Sequence, residues 1–318
     1  MKISELVQKY GPAVTATIPP QAILGTGNVY FVDSGATNAL DANDGEHGNS
    51  WDQPFATLNY AISRCTASQG DVILLAPGHA ETIQDQGIAS GTTTDEVTVD
   101  KAGVSILGLG TGSIRPTFTL SGATDATINV IAPNVTIDNI VVVSGLEDTA
   151  AGITGSALCD GLTISNCEIK DGGTAILELV AGVTIAALAY DVTIEGCRFI
   201  TTVAGSSTAS AIVFEGINSR YVVRNNLISG DWNTAAIANT AGISTDILIE
   251  NNYIYNIDAG AGLAISLHNS CNGAVVRNLM HGGKDGTAPI AAAGCLVAEN
   301  YGTNAEGASG IILPAVDS

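Results

Sequence analysis

A six-residue phrase recurs seven times between Val135 and Tyr301, and this repeat restricts the possible folds more than any other feature of the chain. The starts of successive copies are separated by 27, 30, 29, 26, 27 and 22 residues. A repeat of roughly 20 to 50 residues indicates a solenoid, a propeller or another array. The copies read VTIDNI from Val135, LTISNC from Leu162, VTIEGC from Val192, YVVRNN from Tyr221, ILIENN from Ile247, AVVRNL from Ala274 and LVAENY from Leu296.

Alternation within the phrase predicts that each copy is a β-strand. Its first and third positions are apolar in every copy, which is the period of two expected of a strand. The fifth position is Asn or Gly, residues that tolerate a left-handed backbone, so each strand is expected to end in a sharp bend. A second apolar run follows each bend, and a third comes later, in TAILEL from Thr174, SAIVFE from Ser210, TAAIAN from Thr234 and GLAISL from Gly262. The prediction is an all-β chain, a parallel β-helix solenoid with three sheets.

Stacking of equivalent positions in such a solenoid predicts ladders of side chains. The fifth positions are expected to form a structural asparagine ladder that bonds along the axis and satisfies the bent backbone, with members Asn139, Asn166, Asn225, Asn251, Asn278 and Asn300. The fourth positions alternate in charge from Glu195 onward. We interpret them as a surface ladder of ion pairs rather than a catalytic row, with members Glu195, Arg224, Glu250, Arg277 and Glu299.

The six cysteines show no CxxC spacing, which argues against a zinc site. Cys167 and Cys197 share the sixth position of adjacent copies and are expected to stack as buried side chains. Stacking brings the two sulfur atoms close enough for a disulfide, so free thiols and a bonded pair both remain open.

Residues 28–83 carry a different pattern. A strand ending in Val-Asp at Asp33 leads into a loop rich in Gly, Asn and Asp, then PFATLNYAI from Pro54 and GDVILLAPGHAE from Gly70. This order resembles the opening of pectate-lyase-like right-handed parallel β-helix proteins. A helix over Pro54 to Ile62 would cover the open end of the first coil. The superfamily contains lyases, hydrolases, adhesins and phage structural proteins, so the resemblance predicts the fold, including its right hand, rather than an activity.

The chain is therefore expected to have three parts: an extended N-terminal arm at 1–27, a cap at 28–83 and β-helix coils at 84–318. The arm is apolar and interrupted by prolines, which suits anchoring, oligomerisation or a segment lying along the solenoid. The N-terminus has no apolar run of signal-peptide length, and no transmembrane segment is apparent, so secretion by the classical route is not expected.

The charge balance argues against two classes of partner. The net charge is −20, from 31 acidic and 11 basic residues, and the basic residues are scattered along the sequence. Binding to nucleic acid or to an anionic membrane would require basic clusters, so neither partner is expected.

No catalytic residue and no cofactor-binding residue is assigned from the sequence. A glycosidase needs two carboxyl groups on the same or neighbouring coils, and arginines separate the glutamates of the fourth-position ladder. Tyr253 and Tyr255 are interpreted as structural rings of the second sheet rather than platforms for sugars. No cofactor is expected apart from a weak calcium candidate, whose alternative is a solvated turn because the distal Glu of an EF-hand is absent. Its ligands would be Asp41, Asn43, Asp44 and Glu46.

With a nearly continuous repeat and no assembled carboxylate site, the chain also resembles bacteriophage virion-associated β-helix proteins. That resemblance implies a non-enzymatic structural protein of the virion, a capsid decoration or cement protein more than a fibre. The expected partners are other virion proteins, contacted through residues 1–27, and further copies of this chain, with a trimer as one option. Its expected location is the virion, after synthesis in the host cytoplasm. The alternative is a polysaccharide lyase or glycoside hydrolase of the tailspike type, acting on a host glycan. A bacterial surface adhesin would need an export signal.

Overall fold

The computed structural model describes residues 27–84, 96–174, 176–201, 209–239, 241–257, 262–281, 289–303 and 309–311. The predicted arm lies outside this part of the chain, except for Gly27. No helix in the described ranges is both long enough and apolar enough to cross a bilayer.

Sheet 1 is built from the first strand of each coil. Neighbouring strands of this sheet pair in parallel and follow one another in chain order, so each coil lies on the previous one. Its strands are β1 (Val29–Val32), β2 (Val72–Leu75), β5 (Ser105–Gly108), β8 (Thr136–Asp138), β11 (Thr163–Ser165), β14 (Thr193–Glu195), β17 (Val222–Arg224), β20 (Ile247–Glu250), β23 (Gly273–Val276) and β26 (Leu296–Ala298).

Sheet 2 follows sheet 1 in each coil and is parallel except for its last strand, which pairs antiparallel with the strand before it. Its strands are β3 (Ala80–Ile83), β6 (Thr117–Leu120), β9 (Val141–Ser144), β12 (Glu168–Lys170), β15 (Arg198–Ile200), β18 (Leu227–Gly230), β21 (Tyr253–Asn256), β24 (Leu279–His281), β27 (Tyr301–Thr303) and β28 (Ser309–Ile311).

Sheet 3 completes each coil and is parallel throughout its described strands. They are β4 (Glu96–Val99), β7 (Thr127–Val130), β10 (Thr149–Gly155), β13 (Leu179–Ile185), β16 (Ser210–Phe214), β19 (Ala235–Asn239), β22 (Leu263–Leu267) and β25 (Ile290–Ala291). The predicted three-sheet parallel β-helix is confirmed. One third strand was misplaced, because β13 begins at Leu179 and the predicted TAILEL ends there.

The core is a set of apolar rows running along the axis. In the first five copies the third residue of the phrase points inward. These residues, Ile137, Ile164, Ile194, Val223 and Ile249, are fully buried and paired with one another on adjacent strands. Burying each such side chain contributes about 1.5–3 kcal/mol, so the rows supply the main stabilisation between coils.

The bends fall where the fifth position predicts them. Asn139, Asn166, Gly196, Asn225 and Asn251 all have left-handed backbones, with φ between 54° and 63°. In the last two copies the predicted register is wrong by one residue, since Val275 pairs with Ile249 and Val297 with Val275.

This shift places Arg277 and Glu299 at the left-handed bend, with φ of 56° and 55°. Gly273, Ala274, Val275 and Val276 are all small or apolar, so the sequence there does not show which residues face inward. A slip of one residue exchanges the two faces of a strand, which is why the error changes the predicted ladders.

The buried asparagine ladder lies one position beyond the bend, and its members are Asn226, Asn252, Asn278 and Asn300. Only Asn278 and Asn300 of the predicted set belong to it. Asn166, Asn225 and Asn251 are exposed at their bends, and Asn139 is half-buried. The predicted ladder therefore combined two different rows of residues.

Each amide of this ladder bonds to the next coil. Asn226 donates from its backbone N and from Nδ2 to Oδ1 of Asn252, at 3.0 Å in both cases. Asn252 donates in the same way to Oδ1 of Asn278, at 3.0 and 2.9 Å, and its Nδ2 also donates to the carbonyl of Val223 at 2.9 Å. The ladder thus satisfies polar backbone groups that the bend removes from the regular sheet.

The cap contains one short helix, α1 (Leu58–Arg64), which begins later than predicted. Thr57 caps it by accepting a bond from the backbone N of Tyr60 at 3.2 Å, while Phe55 precedes it in a bridge to Val32. Leu58, Ala61 and Ile62 are buried, so α1 covers the first coil as expected.

We expect Asn252→Ala to lower the free energy of unfolding by about 1–3 kcal/mol, because it leaves buried amide and carbonyl groups on neighbouring coils without partners. Denaturant unfolding followed by circular dichroism measures the change. The control is Asn225→Gly at the exposed bend, where glycine keeps the left-handed backbone and the change should stay within about 0.5 kcal/mol. Equal unfolding midpoints for Asn252→Ala and wild type would contradict this role of the ladder.

Candidate functional site

The outer face of sheet 2 carries the candidate site. Outward side chains of successive coils stand in two parallel columns, because every strand pairs in register with the next. Column 1 consists of Thr117, Val141, Glu168, Arg198, Leu227, Tyr253, Leu279 and Tyr301. Column 2 consists of Thr119, Val143, Lys170, Ile200, Ser229, Tyr255 and His281.

Three basic side chains converge on Glu168 in a groove of about 590 Å³ on this face. Arg115 Nη2 lies 2.7 Å and Arg198 Nη1 3.9 Å from Glu168 Oε2, while Lys170 Nζ lies 3.0 Å from Oε1. Lys170 and Arg198 are partly exposed, at 37% and 53%, whereas Arg115 and Glu168 are largely covered. We call these four residues the cationic groove.

Arg115 reaches the groove from the turn before β6, across the intervening strand β9. Its Nη1 donates to the carbonyl oxygen of Asn166 at 3.2 Å, which fixes the guanidinium in place. Its Nε is buried and has no hydrogen-bond partner in the described part of the chain. Arg115 thus lines the groove in a fixed position, whereas Lys170 and Arg198 are available to a ligand.

The charge of the groove keeps Glu168 ionised. Partial burial raises the pKa of Glu168, but the hydrogen bond from Lys170 and the charges of Lys170, Arg115 and Arg198 outweigh it, so the pKa lies below its usual value. Three cations and one carboxylate leave the groove with a charge of about +2.

Although the basic residues are scattered along the sequence, they are not all scattered in space. Of the eleven Lys and Arg residues, Lys2, Lys9 and Lys284 lie outside the described ranges, and three of the remaining eight meet in this groove. The signal was the alignment of CEIK with CRFI, which places Glu168 and Arg198 at equivalent positions. Arg115 carried no such signal, because it lies in a turn outside the repeated phrase.

Beyond the groove, the same face carries exposed rings. Tyr253, Tyr255 and Tyr301 are 48%, 39% and 51% exposed, and Leu279 lies between Tyr253 and Tyr301 in column 1. The ring of Tyr255 stacks on that of His281, with centroids 4.8 Å apart and planes inclined by 19°. Tyr253 and Tyr255 lie on the second sheet, as predicted, and both project from its surface, so their interpretation as structural rings rather than platforms for sugars stays a prediction. We call Tyr253, Tyr255, Leu279, His281 and Tyr301 the aromatic strip.

The arrangement suits recognition of an anion better than hydrolysis of a glycoside. Among the described residues lining the groove, Glu168 is the sole acid, whereas glycosidases use two carboxyl groups. A carboxylate whose pKa is lowered by cations is also poorly suited to donate a proton. Exposed Lys and Arg side chains, in contrast, form strong charge-assisted bonds to oxyanions.

The fourth-position charges lie on sheet 1, away from this groove. Arg224 Nε bonds to Glu195 Oε2 at 2.7 Å, and Arg277 bonds to Glu250 and approaches Glu299 at 4.0 Å. Arg277 and Glu299 join this ladder from the bend position rather than the fourth. The acids are thus held in ion pairs on the surface, where each pair contributes about 0–1 kcal/mol.

The predicted calcium ligands have separate roles in the cap. Asp41 accepts bonds from the backbone N atoms of Ala56 and Thr57 at 2.8 and 3.2 Å and from Thr57 Oγ1 at 2.7 Å. Asp44 accepts bonds from the backbone N atoms of His47 and Glu46 and from the His47 ring, and together these bonds lower the pKa of Asp44 to about 2.

Asn43 and Glu46 are exposed on the same loop. Across the ranges that the structure describes, no three His, Cys, Asp or Glu side chains converge as a metal site would require. Calcium binding by this loop stays a prediction.

The cysteines are free thiols. Cys167 and Cys197 are fully buried on adjacent coils, as the stacking prediction requires. Burial, reinforced by the neighbouring Cys167, raises the pKa of Cys197 well above its usual value. Such thiols are inert, so they serve packing.

No family model matches the sequence. No curated protein matches it either. Solved structures similar to this chain include a rhamnogalacturonan lyase, at a TM-score of 0.45 and 16% identity over 80% of this chain and 74% of that chain.

Two further similar structures have enzyme names. Pectate lyase Pel9A has a TM-score of 0.43 and 14% identity over 86% of this chain and 80% of its own. A lacto-N-biosidase of family GH136 from Eubacterium ramulus has a TM-score of 0.40 and 14% identity over 93% and 70%. Similarity at this level carries no argument about activity, and the parallel β-helix that the resemblance predicted is shown by the strand pairing described above. The resemblance to bacteriophage proteins stays a prediction.

We expect the pKa of Glu168 to lie below that of the same residue in the unfolded chain, and to rise in Lys170→Met because the hydrogen bond and a nearby cation are lost. Since the folded pKa is the lower one, Glu168 stabilises the fold above its unfolded pKa, and this stabilisation is lost as the pH falls through the folded pKa. An NMR titration of the Glu168 carboxyl carbon tests this. Arg224→Gln, on sheet 1, should leave the titration unchanged, and an unchanged value in Lys170→Met would contradict the assignment.

Proposed function

We propose that this protein binds an acidic polysaccharide through the cationic groove on sheet 2. The observation that carries the proposal is the convergence of Arg115, Lys170 and Arg198 on one carboxylate in a chain of net charge −20. Elsewhere on the described surface, paired arginines face one or two acids each, as in Arg220 with Asp191, Arg224 with Glu195 and Arg277 with Glu250 and Glu299. An excess of positive charge at one place on an acidic protein favours a ligand that is itself negative.

The exposed cations determine what such a ligand must offer. Lys170 can donate hydrogen bonds beyond the one to Glu168, and Arg198, whose nearest contact to Glu168 is an ion pair at 3.9 Å, can donate its own; a carboxylate or sulfate group on a sugar would accept them. Arg115 is already held by Asn166 and Glu168, so it contributes charge more than new bonds. The ligand therefore adds to the ion-pair network instead of displacing it.

Of the two enzyme classes that the sequence left open, a lyase fits the groove better than a hydrolase. Eliminative cleavage of a uronate chain requires cations that neutralise the carboxylate beside the carbon losing its proton, and the groove supplies them. Hydrolysis requires a second carboxyl group, which the described groove residues do not provide. The virion role remains a prediction that depends on residues 1–27, which lie outside the described surface apart from Gly27.

Binding is tested with oligogalacturonates, with sulfated chondroitin fragments and with uncharged dextran, by isothermal titration calorimetry. We expect affinity for one or both charged probes, little for dextran, and weakening with added salt. Lys170→Met and Arg198→Gln should each reduce the affinity about tenfold or more, because a hydrogen bond to a charged group contributes about 1.5–3 kcal/mol.

The matched control is Arg224→Gln, which makes the same change of charge on sheet 1 and should bind as the wild type does. Absorbance of an unsaturated product at the new chain end reports eliminative cleavage in the same samples. Equal affinity of the Lys170, Arg198 and Arg224 variants would contradict the groove as the binding site. So would binding of dextran as tight as that of the charged probes.

A further inference from the structure

We propose that the aromatic strip is a second binding region, which holds sugar rings of the same glycan chain whose acidic group occupies the cationic groove. This inference rests on the proposed function. It adds the direction of the ligand, which would run along the axis of the solenoid, and its class, a chain with both charged and uncharged sugar units. The argument has three parts: register, exposure and charge.

Register joins the two regions without a break. Arg198 of the groove pairs with Leu227 on the next strand, Leu227 pairs with Tyr253, and Leu279 and Tyr301 follow in the same column. Neighbouring strands lie about 4.8 Å apart, so Tyr253 is about 10 Å from the position of Arg198, and Tyr301 lies about 10 Å further on. A flexible chain of a few sugar units can therefore contact the groove and the strip at once.

Exposure distinguishes these rings from the other large aromatic side chains of the coils. Phe118, Phe199, Phe214 and Tyr221 are buried, as expected where rings fill a narrow core. Tyr253, Tyr255 and Tyr301 are between 39% and 51% exposed and share one face. Tyrosine combines an apolar ring with a hydroxyl group, which suits a ligand whose units have apolar faces and polar edges.

Charge changes along the face. The groove carries about +2, whereas the aromatic strip contains no Asp, Glu, Lys or Arg. Ser229 and the tyrosine hydroxyls supply neutral hydrogen-bonding groups. One end of the ligand therefore meets cations and the other meets uncharged rings, which an alternating or partly substituted acidic glycan would match.

The continuous columns favour a glycan over another occupant of the strip. A protein partner that covered the strip would also have to face the cationic groove on the same surface, and a second copy of this acidic chain would have to bring a matching acidic surface. A glycan requires no such partner surface, because one extended molecule supplies both an acidic group for the cationic groove and sugar rings for the aromatic strip.

The test compares an acidic disaccharide with an octasaccharide of a partly methyl-esterified oligogalacturonate series, in which charged and uncharged units are mixed, measured by calorimetry on the full-length chain. In the wild type we expect the octasaccharide to bind more tightly. Tyr253→Ala and Tyr301→Ala should each lower its affinity about three- to tenfold, in the range expected for loss of a ring contact, and leave the disaccharide unaffected. Leu296→Ala is the matched control, since Leu296 is 65% exposed on sheet 1 and lies outside both columns.

Each outcome separates the two proposals. If neither oligosaccharide nor the sulfated probe binds the wild type, the proposed function fails. If both lengths bind equally and the tyrosine variants match Leu296→Ala, the groove stands and the strip is not a subsite. If Tyr253→Ala instead changes the particle mass in light scattering, with glycan affinity unchanged, the strip is an interface between copies and this inference is overturned. Circular dichroism confirms that each variant is folded.

Discussion

In-register parallel pairing of each coil on the one before is the constraint on which the rest of this structure depends. It fixes where every outward and inward side chain lies, because a strand that slipped by one residue would exchange its buried and exposed faces. The left-handed bends at residues such as Asn225 end the strands of sheet 1 from β8 to β26 at the same point, and the amides from Asn226 to Asn300 connect the bent segments. The apolar rows of the core and the two columns of outward side chains on sheet 2 both result from this pairing.

Much of this fold can be predicted from local pattern. The repeat length, the period of two and the Asn or Gly bends were sufficient to predict three parallel sheets, and the resemblance of residues 28–83 to pectate-lyase-like proteins added the capped first coil. The register of the last two copies was not, because Gly273 to Val276 could present either face to the core. The ladder followed this error, and it also required knowing that the side chain after the bend, rather than the bend residue, turns inward.

The candidate site was harder to predict, for two physical reasons. Its members are far apart in sequence, and Arg115 lies in a turn where no repeat assigns it a position. Glu168, Lys170 and Arg198 do occupy alignable positions, but they belong to the second strand of the coil, whose short apolar runs vary more than the phrase of sheet 1. Finding the charged cluster thus required comparing equivalent positions on successive coils, rather than looking for charged residues that are consecutive in the sequence.

The separation of the cationic groove from the aromatic strip has a consequence for how such a protein can change. Adding or removing one coil between Arg198 and Tyr253 would shift the two regions relative to each other by one strand spacing, about 4.8 Å, and leave the internal geometry of each intact. The number of coils therefore sets the distance between the two regions in fixed increments. Duplication or deletion of a repeat would change, in discrete steps, the length of ligand that spans both regions. Point substitutions within a column would instead change which chemical group of the ligand is recognised at that coil.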